Sequence, residues 1–326
     1  MILQDSTCVT VRILTVTLNP TLDVATRVER LVHREKLRCE TEQEQVGGGG
    51  INVAQVIHSL GTPSTAAFTS GGWRGREILS RLTADGIECL PIPIAQESRQ
   101  CFTVYETSTE QEYRFILPGP TLSEDEAQRC LETLKTCTAQ ARWLILSGSL
   151  APGLPDDFYR QVIDQIRRPG KQIILDTSGA ALSQAIQSEI DWIKPSRDEL
   201  QDLMGLPLNT LQECEQACHT LMQTHPVKGV ALSLGGEGAL VCQGSERLYV
   251  PALPVKVTST VGAGDSFVGG LVWALDQGLN LTRASQIATA SAAAALQTQG
   301  QLRFDPETIL RDADHVKVQP LNTLLS

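Results

Sequence analysis

Six apolar, β-branched runs recur along this chain with room for one helix between most of them, and that rhythm restricts the fold more than any other feature. The runs are VRILTVTLN (11–19), STAAFTS (64–70), RWLILSG (142–148), KQIILDTS (171–178), DWIKPS (191–196) and GVALSLG (229–235). Between them lie stretches with helical spacing of apolar residues: INVAQVIHSLG (51–61), REILSRLTADG (76–86), SEDEAQRCLETLKTC (123–137), DDFYRQVIDQIRR (156–168), RDELQDLMG (197–205) and TLQECEQACHTLMQTH (210–225). Strands alternating with helices imply βαβ units, hence an α/β fold with a mostly parallel sheet covered on both faces. Ligands of such sheets bind at the carboxyl ends of the strands. That rule places the loops at 19–20 (NP), 147–149 (SGS), 176–179 (DTSG), 194–196 (KPS) and 233–238 (SLGGEG) along one edge.

Composition narrows the class further. Of 326 residues, 41% are hydrophobic and 20% charged, which suits a globular protein with one large core or two modest ones. No uncharged apolar run reaches the roughly 18 to 20 residues that a membrane helix needs, and the first residues show no basic region ahead of a cleavable apolar segment. A cytoplasmic location is therefore the expectation. The nine cysteines (8, 39, 89, 101, 130, 137, 214, 218 and 242) are odd in number and scattered, as reduced thiols are. Cys214 and Cys218 lie four apart beside His219, but a metal site needs more ligands than these. A formal net charge of −10 sets the surface against nucleic acid and anionic membranes. An acidic protein that handles phosphates must gather Lys, Arg and backbone N–H groups locally, so its few basic clusters are informative.

Two segments break the rhythm, Asp23 to Val46 and Pro93 to Gly119. Both alternate polar and apolar residues as half-exposed antiparallel strands do, and they are expected to form a small sheet projecting from the main one. The chain would then divide into a core of 1–22, 47–92 and 120–326 and a β-sheet lid of 23–46 and 93–119. A small sheet with one apolar face needs a cover, either the substrate site or a second subunit. A hairpin packed flat on the main core is the alternative.

The chemistry concentrates in a few loops. In STVGAGDSFVGG (259–270), Gly262 and Gly264 permit a tight turn into a helix beginning at about Gly264, bringing bare N–H groups and the positive end of the helix dipole toward a ligand. That combination suits a phosphoryl group in transfer, and Asp265 at the same end could take the proton of an attacking hydroxyl. Taken alone, the turn is equally a glycine-rich strand-to-helix connection with an N-capping Asp. Gly47 to Gly50 open another helix without the GxGxxG spacing of a dinucleotide site. Four glycines in a row imply a close approach, and a sugar hydroxyl with Asn52 as its amide partner fits that need. Asp23 follows the first strand, where a carboxylate can accept from two sugar hydroxyls. Lys36, Arg38 and Arg99 lie on the proposed small sheet, and Arg38 and Arg99 are candidates for gripping a phosphate already on the substrate. In KPSRDE (194–199), Glu199 could hold Mg²⁺ through water, although Ser196 with Glu199 is also a helix capping box. Ser233 and Gly235 are placed to meet a nucleotide.

Six ordered motifs, TLNPTLD (17–23), GGGGINVA (47–54), SGSLAPG (147–153), DTSG (176–179), KPSRDEL (194–200) and TVGAGDSFVGG (260–270), together resemble the ribokinase-like, or PfkB, sugar kinases over residues 11 to 305. The resemblance implies a Rossmann-like αβα core with a β-sheet lid, often shared between two subunits of a homodimer. It implies ATP- and Mg²⁺-dependent phosphorylation of the C1 hydroxyl of fructose 6-phosphate, with tagatose 6-phosphate and fructose 1-phosphate kinases as near neighbours. Those neighbours commonly carry Lys where this chain has Gly49, which favours fructose 6-phosphate. By the resemblance, Asp265 is the base and the N–H groups from Ala263 to Asp265, with Gly262 and Gly264, form the anion hole. Asp23, Lys36, Arg38, Gly48, Gly49, Asn52, Arg99 and Ser149 would contact the sugar phosphate. Lys194, Ser196, Ser233, Gly235, Thr260 and Gly262 would lie near ATP. The family's NxxE magnesium motif reads SxxE here, with Ser196 at the Asn position. Carbonyls around Ser259, Val261, Ala295 and Gly300 could hold K⁺, as in some relatives. From a different class, a catalytically silent sugar-phosphate sensor would share the scaffold, but the retained Asp265 and its glycines argue for catalysis.

Overall fold

The computed structural model describes residues 12–40, 43–298 and 302–321. Its strands are β1 (Ile13–Thr17), β2 (Thr21–Val28), β3 (Gln43–Gly47), β4 (Thr65–Ser70), β5 (Glu88–Pro93), β6 (Arg99–Glu106), β7 (Gln111–Phe115), β8 (Trp143–Ser147), β9 (Gln172–Asp176), β10 (Trp192–Ile193), β11 (Gly229–Ser233), β12 (Ala239–Gln243), β13 (Glu246–Val250) and β14 (Gln319–Pro320). Its helices are α1 (Gly49–Ser59), α2 (Gly72–Ala84), α3 (Glu124–Cys137), α4 (Phe158–Ile166), α5 (Gly179–Ala185), α6 (Arg197–Met204), α7 (Leu211–Thr224), α8 (Ala263–Asp276), α9 (Leu281–Leu296) and α10 (Pro306–Ala313). All six expected strands are present, as are the helices between them. None of the described helices is long and apolar enough to cross a membrane.

Ten strands form one sheet in the order β14-β13-β12-β11-β10-β9-β8-β1-β4-β5. Seven of them, from β11 to β5, run parallel, and the β12–β13 hairpin adds an antiparallel edge that extends to β14. The two-residue period of a strand sends alternate side chains to opposite faces, and β8 shows the result. Leu144 and Leu146 enter the core under α3 to α7, whereas Trp143 and Ile145 enter the core under α1 and α8 to α10. Helices therefore cover both faces, as an αβα arrangement requires. Strand order reverses at β1, with β4 and β5 on one side and β8 to β11 on the other. The crevice at the carboxyl ends of β1 and β8 is thus the expected ligand position.

The second sheet has four strands in the order β3-β2-β6-β7. It departs from the expectation in two respects. Its central pair, β2 and β6, is parallel rather than antiparallel, because the chain passes through the main sheet between them. In addition, residues 29–40 form an exposed connection rather than strand, so Lys36 and Arg38 sit on a loop beside the sheet and not on it. The foot of that loop is fixed by Leu31 N–H, which donates to the Glu106 carboxylate at 2.9 Å. Val32, Leu37, Phe102, Phe115, Ile116 and Leu117 leave apolar surface exposed on this sheet and its connections.

Two glycine-started helices, α1 and α8, pack side by side. A β-carbon at Gly269 would lie 2.7 Å from the Val56 side chain, and one at Gly270 would lie 2.6 Å from Ser291 Oγ. No larger residue fits without moving α8. Gly269→Val is therefore expected to destabilise the fold by about 1–3 kcal/mol through overpacking. Chemical denaturation reads this directly, and a variant as stable as the parent would contradict the packing described.

Candidate active site

The loops after β1 and β8 and the starts of α1 and α8 meet at the strand-order reversal. Gly48, at φ 128°, is the N-cap of α1. The four glycines were expected to allow a close approach, and the protein's own atoms make one there. A β-carbon on Gly47 would collide with the Asp23 carboxylate, one on Gly49 with Ser147 Oγ, and one on Gly50 would come 2.5 Å from the Val16 carbonyl oxygen. The glycine run thus lets the start of α1 lie on the ends of β1, β2 and β8. The Ser147 hydroxyl oxygen is buried there without a hydrogen-bond partner.

Gly262 caps α8 in a left-handed conformation, φ 75°, and Asp265 falls in the first turn. No side chain caps this N-terminus, so its leading N–H groups stay open to an anion. The Asp265 carboxylate accepts from the Asn52 amide at 2.8 Å. Asn52 therefore touches the carboxylate, a contact the sequence did not disclose. Burial pushes the Asp265 pKa up to about 6, with help from the Asp176 charge and against the Asn52 hydrogen bond, Lys194 and Arg114. A carboxylate poised there can accept a proton from an alcohol near neutral pH.

Lys194 is 8% exposed and ion-paired with Asp176 at 3.0 Å. Burial alone would lower its pKa, but Asp176, Asp265 and Glu199 hold it above the usual lysine value. A β-carbon on Gly264 would lie 3.3 Å from Lys194 Nζ, so the ammonium stands against the α8 N-terminus. Asp176 was not singled out from the sequence, although it ends β9 in the noted DTSG loop. Its significance comes from register: Ile193 pairs with Leu175, so the next residues along, Lys194 and Asp176, are neighbours.

Asp23 lies on β2, where Thr21 Oγ1 donates to it at 3.0 Å. Burial raises its pKa, opposed by that hydrogen bond and by Arg114 and Arg99. Arg114, on β7, acts on both Asp23 and Asp265 and was missed as a site residue. Its signal was the alternating EYRF segment, which makes Arg114 the one basic residue of a half-exposed strand beside β6. Ser149 follows β8, and the Asn19 amide donates to its hydroxyl at 3.4 Å. Lys36 and Arg38 are exposed and make no ion pair among the described residues, so the structure does not bring them to these groups.

On the other flank, Ser196 and Glu199 form the reciprocal capping box of α6: Ser196 Oγ accepts from Glu199 N–H, and Glu199 Oε2 accepts from Ser196 N–H at 2.8 Å. Ser233 N–H donates to the Pro195 carbonyl at 3.0 Å, which sets Ser233 and Gly235 beside that turn. Thr260 is exposed and Ser259 buried in the approach to α8. The Val261 N–H donates to Ser259 Oγ at 3.2 Å. The Ala295 carbonyl already accepts from Thr298 N–H at 3.1 Å and Thr298 Oγ1 at 3.0 Å, and Gly300 lies outside the described residues. Among the described residues no three His, Cys, Asp or Glu side chains converge to ligate a metal directly. Cys214 and Cys218 are buried as free thiols.

Comparison with known proteins identifies the family. A family model described as pfkB family carbohydrate kinase matches residues 16–308. The chain is 40% identical over 300 residues to ATP-dependent 6-phosphofructokinase isozyme 2 of Mycobacterium tuberculosis, spanning 92% of this chain and 88% of that protein. It is similar to phosphofructokinase-2 from Escherichia coli in complex with substrates and products, with a TM-score of 0.89 at 33% identity, covering 94% of this chain and 99% of that one. The same enzyme in complex with potassium gives a TM-score of 0.88 at 34% identity, covering 94% of this chain and 99% of that one. The chain belongs to the pfkB family of carbohydrate kinases.

Proposed function

We propose that the protein transfers the γ-phosphoryl group of ATP to the C1 hydroxyl of fructose 6-phosphate. The observation that carries this reading is Asp265, its pKa near 6, in the first turn of an uncapped helix and flanked by Lys194 and Asn52. Asp265 takes the proton of the attacking hydroxyl while Asn52 holds the carboxylate in place. The N–H groups of Gly262, Ala263, Gly264 and Asp265, with the Lys194 ammonium, receive the charge that the phosphoryl group develops in flight. Asp23 and the Gly48–Gly49 backbone bind sugar hydroxyls, and Arg99 and Ser149 meet the phosphate end. Ser196, Ser233, Gly235 and Thr260 border the nucleotide.

Asp176, Glu199 and Asp265 act together on Lys194, a donor set that suits a hydrated Mg²⁺ shared with nucleotide phosphates rather than a cage of direct ligands. Bound there, the ion would neutralise phosphate charge. A K⁺ ion beside the Ser259–Val261 loop fits the same family pattern. Residues 23–46 and 93–119 act as the lid on a core formed by the remainder. The exposed apolar residues of the lid support a homodimer formed across it, which would also give Lys36 and Arg38 a substrate to reach. The free thiols among the described cysteines fit a cytoplasmic setting.

An ADP-release assay over fructose 6-phosphate, fructose 1-phosphate, tagatose 6-phosphate and unphosphorylated sugars is expected to give the highest kcat/KM with fructose 6-phosphate. A preference for fructose 1-phosphate would reassign the acceptor. Asp265→Ala is expected to lose roughly 10² to 10⁴-fold in kcat, the usual worth of a general base, with sugar binding retained.

The pH profile offers a signed test. The acid limb of kcat/KM is expected near pH 6, where Asp265 must lose its proton. Asp176→Asn removes a charge that raises this pKa, so the limb should move to lower pH. Asn52→Ala removes a hydrogen bond that lowers it, so the limb should move to higher pH. Shifts of the same sign in both variants would contradict the electrostatic account.

A further inference from the structure

A cavity of about 610 Å³ opens between the start of α2, the start of β6 and residues 117–120. Arg74, Glu97, Ser98, Arg99 and Gly119 are among the residues that line it. It adjoins the acceptor site through two walls. Arg99 pairs in register with Thr21, whose hydroxyl holds Asp23. Gly119 lies against Asn19, whose amide reaches Ser149. Arg99 also acts electrostatically on Asp23. The cavity therefore adjoins the acceptor site at Asp23 and Ser149.

Two guanidinium groups face this space underused. The Nε atoms of both Arg74 and Arg99 are buried without a hydrogen-bond partner. Arg99 Nη1 reaches the Leu117 carbonyl at 3.4 Å, and Arg74 stacks on the Trp73 ring at 5.9 Å. Neither forms an ion pair among the described residues. The one carboxylate in the wall, Glu97, accepts the Arg74 backbone N–H at 2.6 Å and fills the space beside Gly72. Its charge is thus spent on the N-terminus of α2, which leaves the two arginines in excess within a protein of net charge −10.

We propose that Arg74, which shares this cavity with Arg99, is a second phosphate-gripping arginine for the acceptor phosphate already placed at Arg99. The inference rests on the reading that the acceptor is a phosphorylated sugar. Paired guanidiniums bind a phosphate dianion through parallel N–H donors and reject an uncharged hydroxymethyl end, so Arg74 sets specificity and takes no part in the chemical step.

The test compares wild type, Arg74→Ala and Arg74→Lys, using kinetics with fructose 6-phosphate and calorimetric binding of that sugar phosphate without nucleotide. Arg74→Ala is expected to raise KM and Kd for fructose 6-phosphate roughly ten- to hundredfold, the loss expected for a charge-assisted hydrogen bond. The KM for ATP should stay the same and kcat should stay within about threefold, because the interaction is made equally in ground and transition states. Arg74→Lys should recover part of the loss. A KM for fructose 6-phosphate within twofold of wild type in Arg74→Ala would overturn the role of Arg74 and leave the acceptor assignment standing. Equal rises for ATP and sugar phosphate would mark a general disruption and overturn it too. A wild-type enzyme that accepts only unphosphorylated sugars would remove both the acceptor reading and this proposal.

Discussion

The close contact between α1 and α8 is the constraint on which the site depends. Gly269 lets α8 approach Val56 of α1, and at the head of the same pair the Asn52 amide meets the Asp265 carboxylate at 2.8 Å. Glycine at the helix contact and glycine at both helix starts serve one geometry: two N-termini brought onto the carboxyl ends of neighbouring strands. The cost of so many glycines, up to about 1 kcal/mol each in helical positions, is offset by a core that buries large side chains such as Trp143, Trp192 and Phe158. Rigid helices and strand ends then carry the reactive groups, and precision of this kind is hard to obtain from loops alone.

Electrostatics follow from that packing. Removing a carboxylate from water raises its pKa, and Asp265 stops near 6 because Asn52, Lys194 and Arg114 work against burial and the Asp176 charge. Several positive groups in this acidic chain stand by these acids and the adjoining cavity: Lys194 against the head of α8, Arg114 acting on both Asp23 and Asp265, and Arg99 with Arg74 in the cavity wall. Phosphoryl transfer asks the protein mainly for position and charge, and both are supplied here by side chains fixed on regular structure.

Much of this was legible in the sequence. The β-branched runs marked β1, β4, β8, β9, β10 and β11, the strand-end rule pointed to the loops that carry Lys194 and Ser149, and the glycine-rich helix starts pointed to Asp265 and Asn52. What escaped has physical reasons. Asp176 matters because β9 and β10 are adjacent, a fact of sheet order rather than spacing in the chain. That the 47–50 glycines also make room for Asp23, Ser147 and Val16 was not legible, since contacts between distant segments leave no periodicity. Lys36 and Arg38 looked like strand residues because their segment alternates, yet it runs as an exposed connection. The alanine-rich α9 offers little contrast between faces, and the β12–β13 hairpin is short enough to pass as one run. Arg74 sits in an unremarkable GGWRG turn, and only the cavity beside it gives it a task.

The central claim is that the acceptor hydroxyl and the transferred phosphoryl group meet at Asp265 and the head of α8. A crystal structure of the protein with fructose 6-phosphate and a non-hydrolysable ATP analogue tests this most directly. The account predicts the C1 oxygen at about 3 Å from an Asp265 carboxylate oxygen, within hydrogen-bond reach of a general base, and γ-phosphate oxygens on the N–H groups of Gly262 to Asp265. A C1 hydroxyl turned away from Asp265, with the γ-phosphate off the α8 N-terminus, would contradict it.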